Sequence, residues 1–132
     1  MPKRPLKITV RLPPYAYPRT TWRKAIHQAV MERLTASRVE YTDDDRLALT
    51  VRLYFNKVLL EIVDVDNRLK DVMDALQGHV GGHGKKQRSL KAIIPNDNRV
   101  FRVTVEKSLA PKQSAHGRGH LTITRYRDAG GR

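Results

Sequence analysis

The chain contains no cysteine, which excludes disulfides, thiolate zinc sites and cysteine nucleophiles. It also has no long apolar run. Met1-Pro2-Lys3-Arg4-Pro5 leads into a short alternating segment, which argues against a signal peptide or a membrane span. A cytoplasmic protein is the default expectation. Acid is scarce too: 26 Lys and Arg stand against 13 Asp and Glu, a formal net charge of +13. From Met1 to Met31 there is no acidic residue at all, only Lys3, Arg4, Lys7, Arg11, Arg19, Arg23 and Lys24. Such an excess attracts phosphate backbones whatever their sequence.

At 132 residues the chain is one domain by size, large enough for a core without staples. We expect a single domain over 1–127 and a frayed tail over 128–132. Leu6 to Leu12 alternates apolar and polar residues, the period of a half-buried strand, and Pro13-Pro14 ends it. Thr20 or Thr21 can cap a helix running through Leu34, with Trp22, Ile26, Ala29, Val30 and Leu34 on its apolar face. Arg19, Arg23, Lys24 and His27 fall largely off that face; Trp22 reads as core and His27 as surface. Ser37 to Arg46 is polar, and Asp43-Asp44-Asp45 reads as a solvated turn because it lacks the spacing of a calcium loop. Leu47 to Phe55 is a strand, Asn56-Lys57 a turn, and Val58 to Val63 an apolar approach. Val100 to Lys107 and His120 to Tyr126 alternate as two further strands. The order suggests a small α+β fold with one mixed sheet and two main helices.

The scarce acids are not scattered. Five aspartates, Asp64, Asp66, Asp71, Asp74 and Asp97, lie between Asp64 and Val100. Val65, Leu69, Val72, Met73 and Leu76 give a buried helical face, and Asp66, Lys70 and Asp74 fall four apart on a neighbouring one. Asp66 suits an N-cap or first-turn position, and Gly78 is a natural stop. His79 to Gly84 is too glycine-rich for a fixed shape, which argues against a helical zinc pair of His79 and His83. Lys85 to Lys91 could form a helical turn. Its Lys85, Lys86, Arg88 and Lys91, together with Arg19, Arg23 and Lys24, are the candidate nucleic-acid contacts.

Clustered carboxylates in a cationic chain suit a divalent metal facing a polyanion. Phosphodiester hydrolysis needs a nucleophilic water and relief of charge on the phosphate, and magnesium on hard oxygen ligands supplies both. Asp64, Asp66 and Asp97 could form such a site if the last loop folds back onto the helix start. Lys70 could point at the same phosphate. The plainer reading of Asp66 and Lys70 is an ion pair along the helix.

The run Asp64-Val65-Asp66-Asn67-Arg68-Leu69-Lys70-Asp71-Val72-Met73-Asp74-Ala75-Leu76-Gln77-Gly78, followed by Asn96-Asp97-Asn98-Arg99-Val100, resembles the RusA family of Holliday junction resolvases. The resemblance covers Asp64 to Val100; the flanking strands agree only in order and length. It implies a small homodimeric, magnesium-dependent endodeoxyribonuclease, with manganese an alternative, that resolves four-way DNA junctions by paired symmetric nicks in recombination and repair, and a source in phages or prophages. It implies metal-binding aspartates at Asp64, Asp66 and Asp97, an essential lysine at Lys70, and a supporting role for Asp74. Asn96 stands where the family usually has an acid, Arg99 replaces a glutamine, and the basic link from Gly78 to Pro95 is long; these departures bear on substrate preference. The alternative is a non-catalytic basic protein that recognises branched DNA.

Overall fold

The computed structural model describes residues 6–81 and 88–127. The chain runs β1 (Ile8–Leu12), α1 (Arg19–Ser37), β2 (Leu47–Phe55), α2 (Lys57–Leu60), α3 (Val65–Leu76), β3 (His79–Gly81), β4 (Arg88–Ser89), a 3₁₀ turn (Asp97–Arg99), β5 (Val100–Leu109), a second 3₁₀ turn (Gln113–Ala115) and β6 (Gly119–Arg125). The sheet has four strands in the order β1-β6-β2-β5. β6 is antiparallel to β1 and β2, whereas β5 is parallel to β2, so the sheet is mixed. The expected α+β fold is present, with a third, one-turn helix where the sequence suggested only a turn. Asn56 explains it: its Oδ1 accepts from Leu59 N at 2.9 Å, capping α2.

One face of the sheet carries the core. β1 and β2 bury alternate residues, Ile8, Val10 and Leu12 and then Leu47, Leu49, Val51, Leu53 and Phe55. Helix α1 lays Trp22, Ile26, Val30 and Leu34 on that face at helical spacing. Each such side chain contributes about 1.5–3 kcal/mol by leaving water. Trp22 satisfies its one polar atom by donating from Nε1 to Pro13 O at 2.9 Å. No helix among the described residues is long and apolar enough to cross a membrane.

Several local expectations are corrected. α1 starts one residue before the anticipated threonine caps, with Pro18 as N-cap, and continues to Ser37. His27 is buried, not on the surface, because its Nε2 lies 2.7 Å from Lys91 O and ties α1 to the segment before β5. In the acidic triplet, Asp43 and Asp44 are exposed but Asp45 is buried, its Oδ2 accepting from Thr42 N at 2.7 Å. His79–Gly81 does hold a shape, pairing with Arg88–Ser89 in a two-stranded ribbon where a helical turn was anticipated. Lys85, Lys86 and His83 lie outside the described residues, as does the tail 128–132. Gly78 ends the helical segment at φ +82, and a Cβ there would meet Leu90 O at 2.2 Å, so both conformation and space require glycine.

Candidate functional site

Helix α3 begins where the chain leaves the C-terminal end of the sheet. Asp64 is its N-cap, in extended backbone, and its carboxylate makes no capping hydrogen bond. Asp66 sits in the first turn, where the unpaired N–H groups of a helix start favour negative charge. Its Oδ1 accepts from Asn67 N at 3.0 Å. Asp64, Asp66 and Lys70 are all exposed. No ion pair joins Asp66 to Lys70; these two lie four apart along α3, whereas Asp64 stands just before its first turn.

Beside them lies a cleft of about 320 Å³ lined by Tyr15, Arg19, Val63, Asp64, Asn67, Arg68 and Asp71. Its walls come from the loop before α1, the first turn of α1 and the first two turns of α3. Asp71 anchors it. This carboxylate is 1% exposed, and it accepts from Arg19 Nε at 3.0 and 3.1 Å and from Arg23 Nε at 2.8 Å. Arg23 Nη2 also pairs with Asp74 Oδ2 at 3.2 Å. Two arginines read from sequence as nucleic-acid contacts therefore brace α1 against α3, and Asp74 supports that brace. The hydrogen bond to Asp71, followed by its charge, raises the Arg19 pKa.

Arg68 closes the other side. Its Cζ stands 3.4 Å from the centroid of the Tyr15 ring and 5.8 Å from those of Trp22 and Phe55. Burial lowers its pKa, with the nearby Arg19 charge acting in the same direction. Two guanidinium nitrogens here, Arg19 Nη2 and Arg68 Nη1, are hidden from water and make no hydrogen bond. Arg19 Nη2 does lie 3.0 Å from Asp71 Oδ1, an ion-pair distance without a well-aimed N–H. The cleft thus offers one donor without an oxygen partner, Arg68 Nη1, next to the Asp71 carboxylate. Other clefts exist, of about 460 Å³ by Arg11, Tyr54 and Arg118 and about 520 Å³ by Asn56 and Lys112, with no carboxylate, and of about 330 Å³ by Arg38, Glu40 and Lys91.

Asp97 does not join this group within one chain. Ile93 N and Ile94 N donate to Leu76 O at 2.9 and 3.1 Å, so the returning segment crosses the C-terminal end of α3 rather than its start. Asp97 then opens the turn into β5 at the strand end beside Leu47, where Arg99 Nη1 donates to Asp43 O at 3.2 Å. Asp64 belongs to the other end of β5, where Lys107 Nζ donates to Val63 O at 3.0 Å. Among the described residues there is no group of three or more His, Asp or Glu side chains placed to hold a metal ion. Asp64 and Asp66 are the right kind of donor for magnesium, but one chain does not assemble the set with Asp97.

Of the remaining basic positions, Lys24 and Lys91 are exposed. Arg88 contributes its backbone to β4. Sequence reasoning passed over Tyr15, Arg68 and Asp71. The signal for the last two was present: Arg68, Asp71, Val72 and Ala75 share one stripe of α3, so a charge at position 71 falls on the packed face, where it needs a partner. No protein-family model matches the chain, and no curated protein matches it.

Proposed function

We propose that the chain is a structure-selective endodeoxyribonuclease that hydrolyses phosphodiester bonds in four-way or other branched DNA, as its resemblance to the RusA family implies. The observation that supports this reading is the cleft lined by Asp64, Arg19 and Arg68, in which Arg68 Nη1 is a hidden donor without an acceptor. Phosphate oxygens suit such donors, because guanidinium groups bind them through charge-assisted hydrogen bonds. The net charge of +13 would draw the polyanion toward the site. Asp64 lines that cleft, Asp66 follows in the first turn of the helix, and Lys70 stands one turn further along with no ion pair among the described residues. Magnesium, or manganese in its place, is the cofactor this chemistry calls for, with Asp64 and Asp66 as oxygen donors. Asp97 of the same chain stands apart from them.

The test is incubation of the pure protein with a labelled four-way junction and a matched linear duplex, with and without magnesium. Nicks confined to the junction, lost with EDTA and in Asp66→Asn, are the expected result. Binding without cleavage under every divalent ion would replace the enzyme by a non-catalytic branched-DNA-binding protein. Equal cutting of linear duplex would keep the nuclease and overturn its substrate.

A further inference from the structure

The face of the sheet opposite the core is polar. In β1 and β2 the residues that alternate with the buried ones, Thr9, Arg11, Thr50 and Arg52 among them, are exposed. His120 of β6 stands between two of these cations, since its register partners are Arg11 on one side and Arg52 on the other. Arg52 is engaged: its Nε meets Glu106 Oε1 at 2.6 Å. Arg11 makes no ion pair or side-chain hydrogen bond among the described residues.

At the end of this row the loop between β5 and β6 completes a cleft of about 460 Å³, with Arg11, Tyr54, Lys112, Ser114, Arg118 and His120 in its lining and neither Asp nor Glu. The loop is fastened in place. Tyr54 N donates to Arg118 O at 2.9 Å, Gly117 N to Tyr54 O at 2.8 Å and Tyr15 N to Gly117 O at 3.0 Å, while Ala115 N and Arg118 N close two turns within it. A Cβ at Gly119 would meet Arg52 O at 2.3 Å, so glycine is what lets β6 start this close to β2. Lys112 and Arg118 therefore stand on backbone that is set before any ligand arrives. Like Arg11, they make no ion pair or side-chain hydrogen bond among the described residues. The Tyr54 hydroxyl and His120 Nδ1 lie 3.0 Å apart, with the rings edge to face. When the phenol donates, the imidazole proton sits on Nε2, which can donate to a ligand oxygen.

We propose that this cleft is a phosphate-binding site that takes a nucleotide, either free or as part of a nucleic-acid strand. Arg11, Lys112 and Arg118 bring three positive charges to one concavity with no carboxylate to balance them, and a bound oxyanion relieves that repulsion. Guanidinium and ammonium groups pair with phosphate oxygens through charge-assisted hydrogen bonds, and Ser114 adds a hydroxyl donor. Three cations suit the charge of a phosphate monoester better than that of a single carboxylate. The volume falls in the range of small-ligand sites, roughly 300–1,000 Å³, and exceeds what a lone phosphate fills. Leu12, Tyr54 and Ala115 supply an apolar and aromatic wall for the rest of the ligand. No residue is common to this site and the cleft beside Asp64, and the proposal does not rest on the nuclease reading.

Backbone amide NMR reads the site directly. Pyrophosphate, thymidine monophosphate and a single-stranded thymidine pentanucleotide are each titrated into the full chain without divalent metal, against chloride at matched ionic strength. The amides of Ser114, Arg118, Gly119 and His120 should shift saturably with pyrophosphate and with the nucleotide, but not with chloride. Lys112→Ala and Arg118→Ala should each weaken binding about fivefold. Arg118→Lys should keep most of the affinity, and Arg33→Ala on α1 should change nothing. Lys112, Arg118 and Arg33 are all exposed, so their truncation leaves the core intact. A pentanucleotide bound about tenfold or more tightly than the mononucleotide assigns the site to a strand; a smaller difference assigns it to a free nucleotide. Absence of shifts at these amides, shifts that chloride reproduces, or shifts that survive both alanine variants overturn the proposal. No branched DNA, metal or cleavage enters the readout, so its failure and that of the junction assay are distinguishable.

Discussion

The Arg68 guanidinium stacks on Tyr15, with Cζ 3.4 Å from the ring centroid. Stacking holds a charged group in place without spending its hydrogen bonds, which is why Nη1 can be both hidden and unpartnered. That arrangement is costly unless an anion uses it, since an unsatisfied buried donor on a charged group costs more than about 1–3 kcal/mol.

Arg68→Ala should weaken binding to a four-way junction by about tenfold at low salt. The slope of log affinity against log salt should flatten by about one, the signature of a single lost phosphate contact. Titrations at several salt concentrations read both. Unchanged affinity and slope would mean that the cleft does not hold a phosphate.

Asp71 gives a prediction of the opposite kind. It is buried between Arg19 and Arg23, so Asp71→Asn leaves two guanidinium groups facing a neutral amide. Removing one member of a fully buried pair costs about 3–5 kcal/mol. Here 41% of the Arg19 side chain reaches water, so it can reorient, and the expected loss is nearer 2–3 kcal/mol. Urea denaturation measures it. Asp71→Asn should keep its affinity for DNA while folded, because the freed arginines remain cationic; a loss of binding without a loss of stability would assign Asp71 to the site rather than to the brace.

The strands were legible in the sequence because alternation is a local signal: Leu47 to Phe55 and Val100 to Lys107 follow it closely. α3 was legible from its apolar period and from Gly78. What could not be read there depends on where distant segments meet. His27 looks polar and exposed on its helix, and only the carbonyl of Lys91 makes it a core residue. Arg19 and Arg23 read as free cations until Asp71 is brought against them from α3. The motif placed Asp64, Asp66 and Asp97 together by resemblance, but the path of Ile93 and Ile94 across Leu76 sends Asp97 to the opposite end of β5. Sequence spacing does not carry that direction.

Tyr41 supplies a pH signature. Its hydroxyl donates to Leu6 O at 2.9 Å, and burial, reinforced by Asp45, pushes its pKa well above the usual phenol range. A raised folded pKa means that the neutral form is favoured in the folded state, so the contribution is intact below the unfolded value near ~10. Above it, stability should fall by up to about 1.4 kcal/mol per pH unit. Unfolding free energies of the wild type and Tyr41→Phe, compared between about pH 8 and pH 11, should differ by a gap that narrows as pH rises. A constant gap would mean that Tyr41 ionises as freely when folded as when unfolded.

Asp66→Asn and Asp97→Asn can decide whether Asp97 acts with the aspartates of its own chain or with those of a second copy. Each variant alone should bind the junction as tightly as the wild type or more so, since a carboxylate near a phosphate is lost, and neither should cut. If every site lies within one chain, mixing the two variants still gives only damaged sites. If Asp97 instead acts in the site of a second copy, a mixed dimer has one site with both lesions and one with none. Random exchange makes about half of the dimers mixed, each with one of two sites intact, so nicking should recover to about a quarter of the wild-type rate. The products should be single nicks rather than paired ones, because the second site of each mixed dimer is dead. Recovery in the mixture, absent from either variant alone, would place Asp97 on the partner's side of the site; no recovery, with the wild type active in the same assay, would exclude a contribution of Asp97 from a second copy.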